Sequence, residues 1–270
     1  MTNISQPKLS IITPSYNQSD FLEETICSIL DQDYHDLEYI IIDGGSTDSS
    51  VEIIKRYDEH IAYWVSEPDN GQTHAINKGL KRATGDIIAW INSDDVYVPG
   101  AFERVAKAFY ENPDADIIYG DGLLIDSNGN RIKRRYGINF NYNMWFYGVV
   151  EPFQPEVFYR RRAIEKAGLL DESFHMMMDR EWWIRMARCG CRFHHIPELL
   201  GALRRHDDAK SSKHKKINDE DRWRIHNMYW EGFRFNDLRL HKIHWRIISL
   251  YYRAYRQLLK LKERGRFDFL

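Results

Sequence analysis

Four consecutive residues, Asn92-Ser93-Asp94-Asp95, follow the apolar run Asp86–Ile91 (DIIAWI). Two adjacent carboxylates at the end of a buried strand are costly unless something binds them. A hard divalent cation, Mn²⁺ or Mg²⁺, bridged to phosphate oxygens is a natural partner. Aspartates at such a place also build turns and cap helices, so the pair gains meaning from its company. Asp43 ends a second apolar run, Leu37–Ile42 (LEYIII). A carboxylate there can accept a hydrogen bond from the imide N–H of uracil or thymine. It can equally organise an Asx-turn over the Gly44-Gly45-Ser46-Thr47-Asp48 segment that follows. Thr13-Pro14-Ser15-Tyr16-Asn17 closes a third run and offers a nucleotide backbone donors and an aromatic face, or forms a Pro-initiated turn around a packed tyrosine.

The elements around these residues place them together. Leu9–Thr13 (LSIIT), Leu37–Ile42, Ile61–Val65 and Asp86–Ile91 read as strands. Helical spacing of apolar residues runs from Asp20 to Leu30, and further helices are expected from about Ser49 to Tyr57 and over Thr73–Ala83. Glu23 and Glu24 fall in the first turn of their helix, where the helix dipole favours acids. Strand–helix alternation with nearly all-apolar strands predicts an α/β fold on a parallel sheet. Ligands in such sheets bind at the carboxyl ends of the strands, where all three segments fall. Beyond Pro99 we expect a helix to about Tyr110, a strand over Ala115–Tyr119, a hairpin turn at 126–130, helices over Arg162–Ala167 and Asp179–Ala187, a strand over Leu199–Leu203, and helix from Asn218 onward. Residues 136–153, rich in Tyr, Phe, Asn and Trp, are expected to be an irregular loop forming an acceptor surface or lid.

Charge divides the chain in two. From Lys210 onward there are 16 Lys+Arg against 7 Asp+Glu, whereas residues 1–209 carry 22 against 33. Such a tail can lie on an anionic membrane as a basic amphipathic helix, or pack on the domain or on a second subunit. Nucleic acid is a poor partner for the acidic body. Cys27, Cys189 and Cys191 give no disulfide framework, and Cys189 and Cys191 stand too close for a zinc knuckle. No signal peptide and no run of 18 apolar residues is evident, which points to the cytoplasm or the inner face of its membrane.

TPSYN after the first strand, IDGGSTD after the second and GDIIAWINSDD around the fourth, in this order and spacing, resemble the inverting family-two glycosyltransferases of GT-A fold. The resemblance extends from about Leu9 to His206. It departs from the family where Asp43 is followed by Gly44 rather than a second Asp, and where Asn92 replaces a common Asp. It implies a Rossmann-related, mostly parallel sheet flanked by helices. Residues 1–105 would bind the nucleotide-sugar donor, residues 106–210 would bind the acceptor and hold the base, and residues 211–270 would form a helical extension. It implies that Thr13, Pro14, Ser15, Tyr16, Asn17, Asp43, Gln72, Asn77, Asp94 and Arg205 face the donor. The metal would be held by Asp95 and His206, with Asp94 on the ribose or the metal. Asp121 and Gln154 would line the acceptor side, and Asp179 would be the general base. Asn77 also reads as an internal helix contact, His74 as a packing residue and Glu181 as a rival base. After three methionines Asp179 should sit in an apolar surround that raises its proton affinity.

The activity implied is metal-dependent transfer of a sugar, with inversion, from a UDP- or dTDP-sugar to a hydroxyl of a saccharide or lipid-linked saccharide in cell-surface polysaccharide synthesis. A nucleotidyltransferase also uses paired Asp and Mg²⁺ on an α/β sheet, but TPSYN lacks the Gly and Lys of a phosphate loop. A non-catalytic sugar-nucleotide or partner-binding module is the other alternative, and the presence of Asp179 and His206 argues against it.

Overall fold

The structure is a computed structural model that describes residues 6–207, 215–231 and 238–264. Its strands are β1 (Leu9–Ser15), β2 (Leu37–Asp43), β3 (Tyr63–Ser66), β4 (Ile87–Trp90), β5 (Val96–Tyr97), β6 (Ile117–Ile125), β7 (Arg131–Arg135), β8 (Val157–Arg160) and β9 (Phe193–Arg204). Its helices are α1 (Leu22–Leu30), α2 (Ser50–Arg56), α3 (Gln72–Arg82), α4 (Ala101–Glu111), α5 (Tyr142–Phe146), α6 (Arg161–Ala167), α7 (Met178–Arg188), α8 (Lys215–Tyr229) and α9 (Leu238–Arg264). The sheet runs β3-β2-β1-β4-β8-β6-β9-β5, with β7 paired to β6.

The α/β, GT-A-like expectation holds, and parallel pairing is concentrated in the first half. There β3, β2, β1 and β4 are all parallel. The second half is mixed. β8 runs antiparallel to both β4 and β6, β6 is parallel to β9, and β5 is antiparallel to β9. In the parallel half, register puts Ser15 beside Asp43 and Asp43 beside Ser66. The three strand ends therefore share one edge.

Two apolar layers sandwich the sheet. On one side Ile12, Ile42 and Trp90 pack under α3, α7 and the aromatic segment around Trp145. On the other, Ile11, Ile41 and Phe158 pack under α1 and α4. Gly79 lets α3 lie close on β1, since a Cβ there would stand 2.4 Å from Ile12 Cγ2.

Residues 136–153 correct an expectation. They contain α5, and Ile138, Met144, Trp145, Phe146, Tyr147, Val149 and Val150 are buried in the core. The aromatic richness builds interior here, and only the final stretch, Glu151-Pro152-Phe153, reaches the cavity described below. In the tail, α8 and α9 fall where helix was expected, and residues 208–214, 232–237 and 265–270 lie outside the described residues.

Candidate active site

A cavity of about 1040 Å³ opens at the shared carboxyl edge of β1, β2 and β4, at the upper end of the usual size for ligand sites. Pro14, Ser15, Tyr16, Gly44 and Gly45 form its β1–β2 wall, facing Asp69 and Gln72 at the start of α3. Asp43 itself is fully buried behind this wall. Its carboxylate accepts hydrogen bonds from Gly45 N (3.1 Å), Ser46 N (2.8 Å), Ser46 Oγ (2.5 Å) and Ser66 Oγ (2.6 Å). The two glycines fit because Gly45 adopts a positive φ of 81° and a Cβ on Gly44 would stand 2.7 Å from Asp69 Oδ2.

The acid pair occupies the next wall. Asp94 and Asp95 both line the cavity. Asp95 is 2% exposed and accepts hydrogen bonds from Arg204 N (2.8 Å) and Asn92 Nδ2 (3.3 Å). Burial, and secondly the neighbouring charge of Asp94, push its carboxyl well above the usual carboxylate range. Asp94 Oδ2 lies 3.0 Å from His206 Nε2, and that ring rests 4.6 Å from Phe21. Asn92 explains its own departure from the common acid. Its Oδ1 accepts from Gln72 Nε2 (2.7 Å) while its amide donates to Asp95, two roles that one carboxylate cannot fill.

These residues fit a divalent cation. Asp94 and Asp95 offer carboxylate oxygens of suitable hardness at the cavity wall, whereas the expected ligand His206 lies off the lining with its Nε2 against Asp94, and a cation would relieve the cost of the buried Asp95 charge. Among the described residues no ready cluster of three or more metal ligands exists, so waters or ligand oxygens would complete the coordination sphere.

Asp179 lines the same cavity, half-buried in the first turn of α7 beside the buried Met177 and Met178. Burial first, and the charge of Glu151 second, raise its carboxyl to about 6. Glu151 is itself held by Arg180 Nε at 2.6 Å. Glu181 points elsewhere and is tied to Arg185 (2.8 Å) and Tyr229 (2.5 Å). Trp90 and Gln154 also line this cavity. Gln154 donates its amide to the Trp90 carbonyl. Trp90 Nε1, Gln154 Oε1 and Ser15 Oγ are buried without hydrogen-bond partners.

Several expected site residues lie off the cavity lining. Thr13 is buried in β1 and accepts from Tyr39 OH (3.1 Å). Asn17 braces the next turn through Thr47 N (2.8 Å). Asn77 joins α3 to Leu170 and Glu172. His74 Nδ1 accepts from Asn70 N. Asp121 is a buried node for Arg134, Gly137 N and His195. Arg205 is exposed, and the inward arginine is Arg204, whose guanidinium holds Glu24 and the carbonyls of Asp94, Asp126 and Ser127. Sequence reasoning missed Trp90, Glu151, Arg180 and Arg222 as cavity residues. Only Trp90 gave a signal, as the last strand residue before the acid pair.

The model of Glycosyl transferase family 2 matches residues 10–182. An uncharacterized glycosyltransferase of Mycobacterium tuberculosis is 29% identical over 256 residues, covering 84% of this chain and 97% of its own. The putative teichuronic acid biosynthesis glycosyltransferase TuaG of Bacillus subtilis is 38% identical over 127 residues, 46% of this chain and 50% of its own. The chain spans only 39% of the length of a further uncharacterized glycosyltransferase, from Rickettsia conorii, to which it is 27% identical over 86% of its own length. Among solved structures, Staphylococcus aureus TarS in complex with UDP-GlcNAc is similar with a TM-score of 0.63 at 18% identity, over 82% of this chain and 65% of that one. The mannosyltransferase PcManGT of Pyrobaculum calidifontis, in complex with GDP-Man and Mn²⁺, is similar with a TM-score of 0.63 at 17% identity, over 98% of this chain and 77% of that one. At these identities the structural likeness shows the GT-A fold.

Proposed function

Because the chain belongs to glycosyl transferase family 2, we propose that it transfers a sugar from a nucleotide-sugar to a saccharide hydroxyl by a single displacement with inversion, Asp179 being the base. The observation that supports this most is that one cavity is lined both by an acid pair suited to a cation–diphosphate and by a carboxyl raised to about 6. The donor diphosphate lies along Asp94 and Asp95, the nucleoside along Pro14–Tyr16 and Gly44–Gly45, and the sugar over Trp90 and Gln154. Asp179 takes the proton from the acceptor hydroxyl as that oxygen bonds to the anomeric carbon. The bond from that carbon to the diphosphate oxygen breaks on the opposite face, and the nucleoside diphosphate departs. Asp94 and Asp95, with His206 behind Asp94, would hold a divalent cation, whose charge would offset that of the leaving diphosphate. The residues missing from the lining, Thr13, Asn17, Asp43 and Asn77, then support walls rather than touch the donor.

We also place the protein on an anionic membrane surface in cell-envelope polysaccharide synthesis. The α9 segment holds eight Lys+Arg and one acid. Its Trp245, Ile248, Tyr252 and Leu259 pack on the body, while Ile243, Ile247, Leu250, Tyr251 and Leu258 are each more than half exposed. Among the described residues no helix is long and apolar enough to cross a membrane, and a basic helix with an open apolar stripe suits the interface.

Calorimetric titration with UDP, dTDP and GDP, each with and without Mn²⁺, tests the donor reading. We expect one nucleotide to bind at least tenfold more tightly with the cation. Binding of none of them, or cation-independent binding that is unchanged in Asp95→Asn, contradicts it.

A further inference from the structure

The family match ends at residue 182, yet two residues of α8, Asn218 and Arg222, line the same cavity. The helix is anchored there by the buried Asp221, whose Oδ2 accepts from His175 N (3.2 Å) and Met176 N (2.9 Å), just before Asp179. Arg222 thus stands on the Asp179 wall rather than on the metal edge. Its Nε is buried with no hydrogen-bond partner. Among the described residues it makes one ion pair, a 3.7 Å contact to Asp219, an acid 68% exposed in its side chain. Burial, and then the charge of Arg180, lower its proton affinity against the opposing charges of Asp219 and Glu151.

Arg135 enters the same cavity from β7, its guanidinium 4.3 Å from the centre of the Phe153 ring, with no ion pair among the described residues. Arg180, the third guanidinium of this wall, is occupied by Glu151. Two arginines, one with no ion pair among the described residues and one with a 3.7 Å contact to an exposed acid, therefore line the cavity that also holds Asp179. Guanidinium forks match carboxylates and phosphates in shape as well as charge, and no carboxylate among the described residues engages either arginine in a close bidentate pair.

We propose that Arg222 and Arg135 form an anion subsite on the acceptor side, so that the acceptor is a saccharide bearing a carboxylate or a phosphate near the attacking hydroxyl. The inference rests on the glycosyl-transfer reading for the word acceptor, and on the cavity alone for the anion. It also gives the segment beyond the family match a role in choosing the substrate.

Ligand-observed NMR titration with methyl β-D-glucuronide, glucose 1-phosphate and methyl β-D-glucoside tests it, using the whole chain with UDP and Mn²⁺ present. We expect at least one charged probe to bind tenfold or more tightly than the neutral one. Arg222→Gln should remove that preference and leave the neutral probe unchanged, while Arg222→Lys retains part of it. Which charged probe is preferred tells a carboxylate from a phosphate. Equal or undetectable binding of all three probes overturns the proposal. So does a loss confined to UDP binding in Arg222→Gln, which assigns Arg222 to the leaving diphosphate. Failure of the glycosyl-transfer reading shows separately, as absence of UDP binding while the charged-probe preference persists.

Discussion

Asp179 stands where its charge is poorly solvated, and two consequences follow from that one residue. As a base it works only when ionised, so turnover should climb as pH rises through about 6. Asp179→Asn should lower kcat by about 10²–10⁴-fold, measured at pH 7.5 with nucleotide affinity as the control. The second consequence concerns stability. A carboxyl whose folded value is raised binds its proton better in the native state. That contribution is complete below the unfolded value near 4 and is lost as pH rises through about 6. Asp179→Asn should therefore be more stable than wild type at pH 8, by about 1–3 kcal/mol, and show no such gain at pH 4, as followed by thermal melts. At this scale the acid pair was legible because it ends an apolar run. The enclosure of Asp43 was not, since one of its donors, Ser66, comes from 23 residues away.

Among the elements, α3 shows where sequence spacing stops informing. Its amphipathic pattern and its Gly71 entrance are local, and the helix is found one residue from its expected bounds. Asn77 on the same helix looked like a donor contact, but its amide and carbonyl clamp the Leu170–Glu172 segment. Asn77→Ala should therefore destabilise by about 1–3 kcal/mol in denaturant melts and leave the nucleotide affinity of the folded fraction unchanged. The parallel strands were legible for a related reason, since doubly buried strands are continuous apolar runs. The mixed half was less so. β8 inserts between β4 and β6 through pairings some 40 to 70 residues apart, and nothing in its four residues announces that position. Residues 136–153 misled because an aromatic segment without helical or strand period reads as surface loop, although its side chains fill the layer beneath α9.

For the whole molecule, the acidic body and basic tail correspond to a cavity-bearing sheet and a helix with an open apolar stripe. If α9 lies on a membrane, the protein should co-sediment with vesicles rich in anionic lipid and not with neutral ones. Ile247→Glu with Leu250→Glu, both at exposed positions, should abolish this without lowering the melting temperature. Retained vesicle binding, or loss of a dimer instead, would assign the stripe to another occupant. The account as a whole depends on what the cavity does to a nucleotide-sugar. The most direct measurement is product identity after incubation of the protein with UDP-, dTDP- and GDP-sugars and Mn²⁺. We predict slow release of nucleoside diphosphate from one donor, abolished by chelation and by Asp95→Asn and reduced by Asp179→Asn. Release of pyrophosphate, or turnover indifferent to both substitutions, would contradict it.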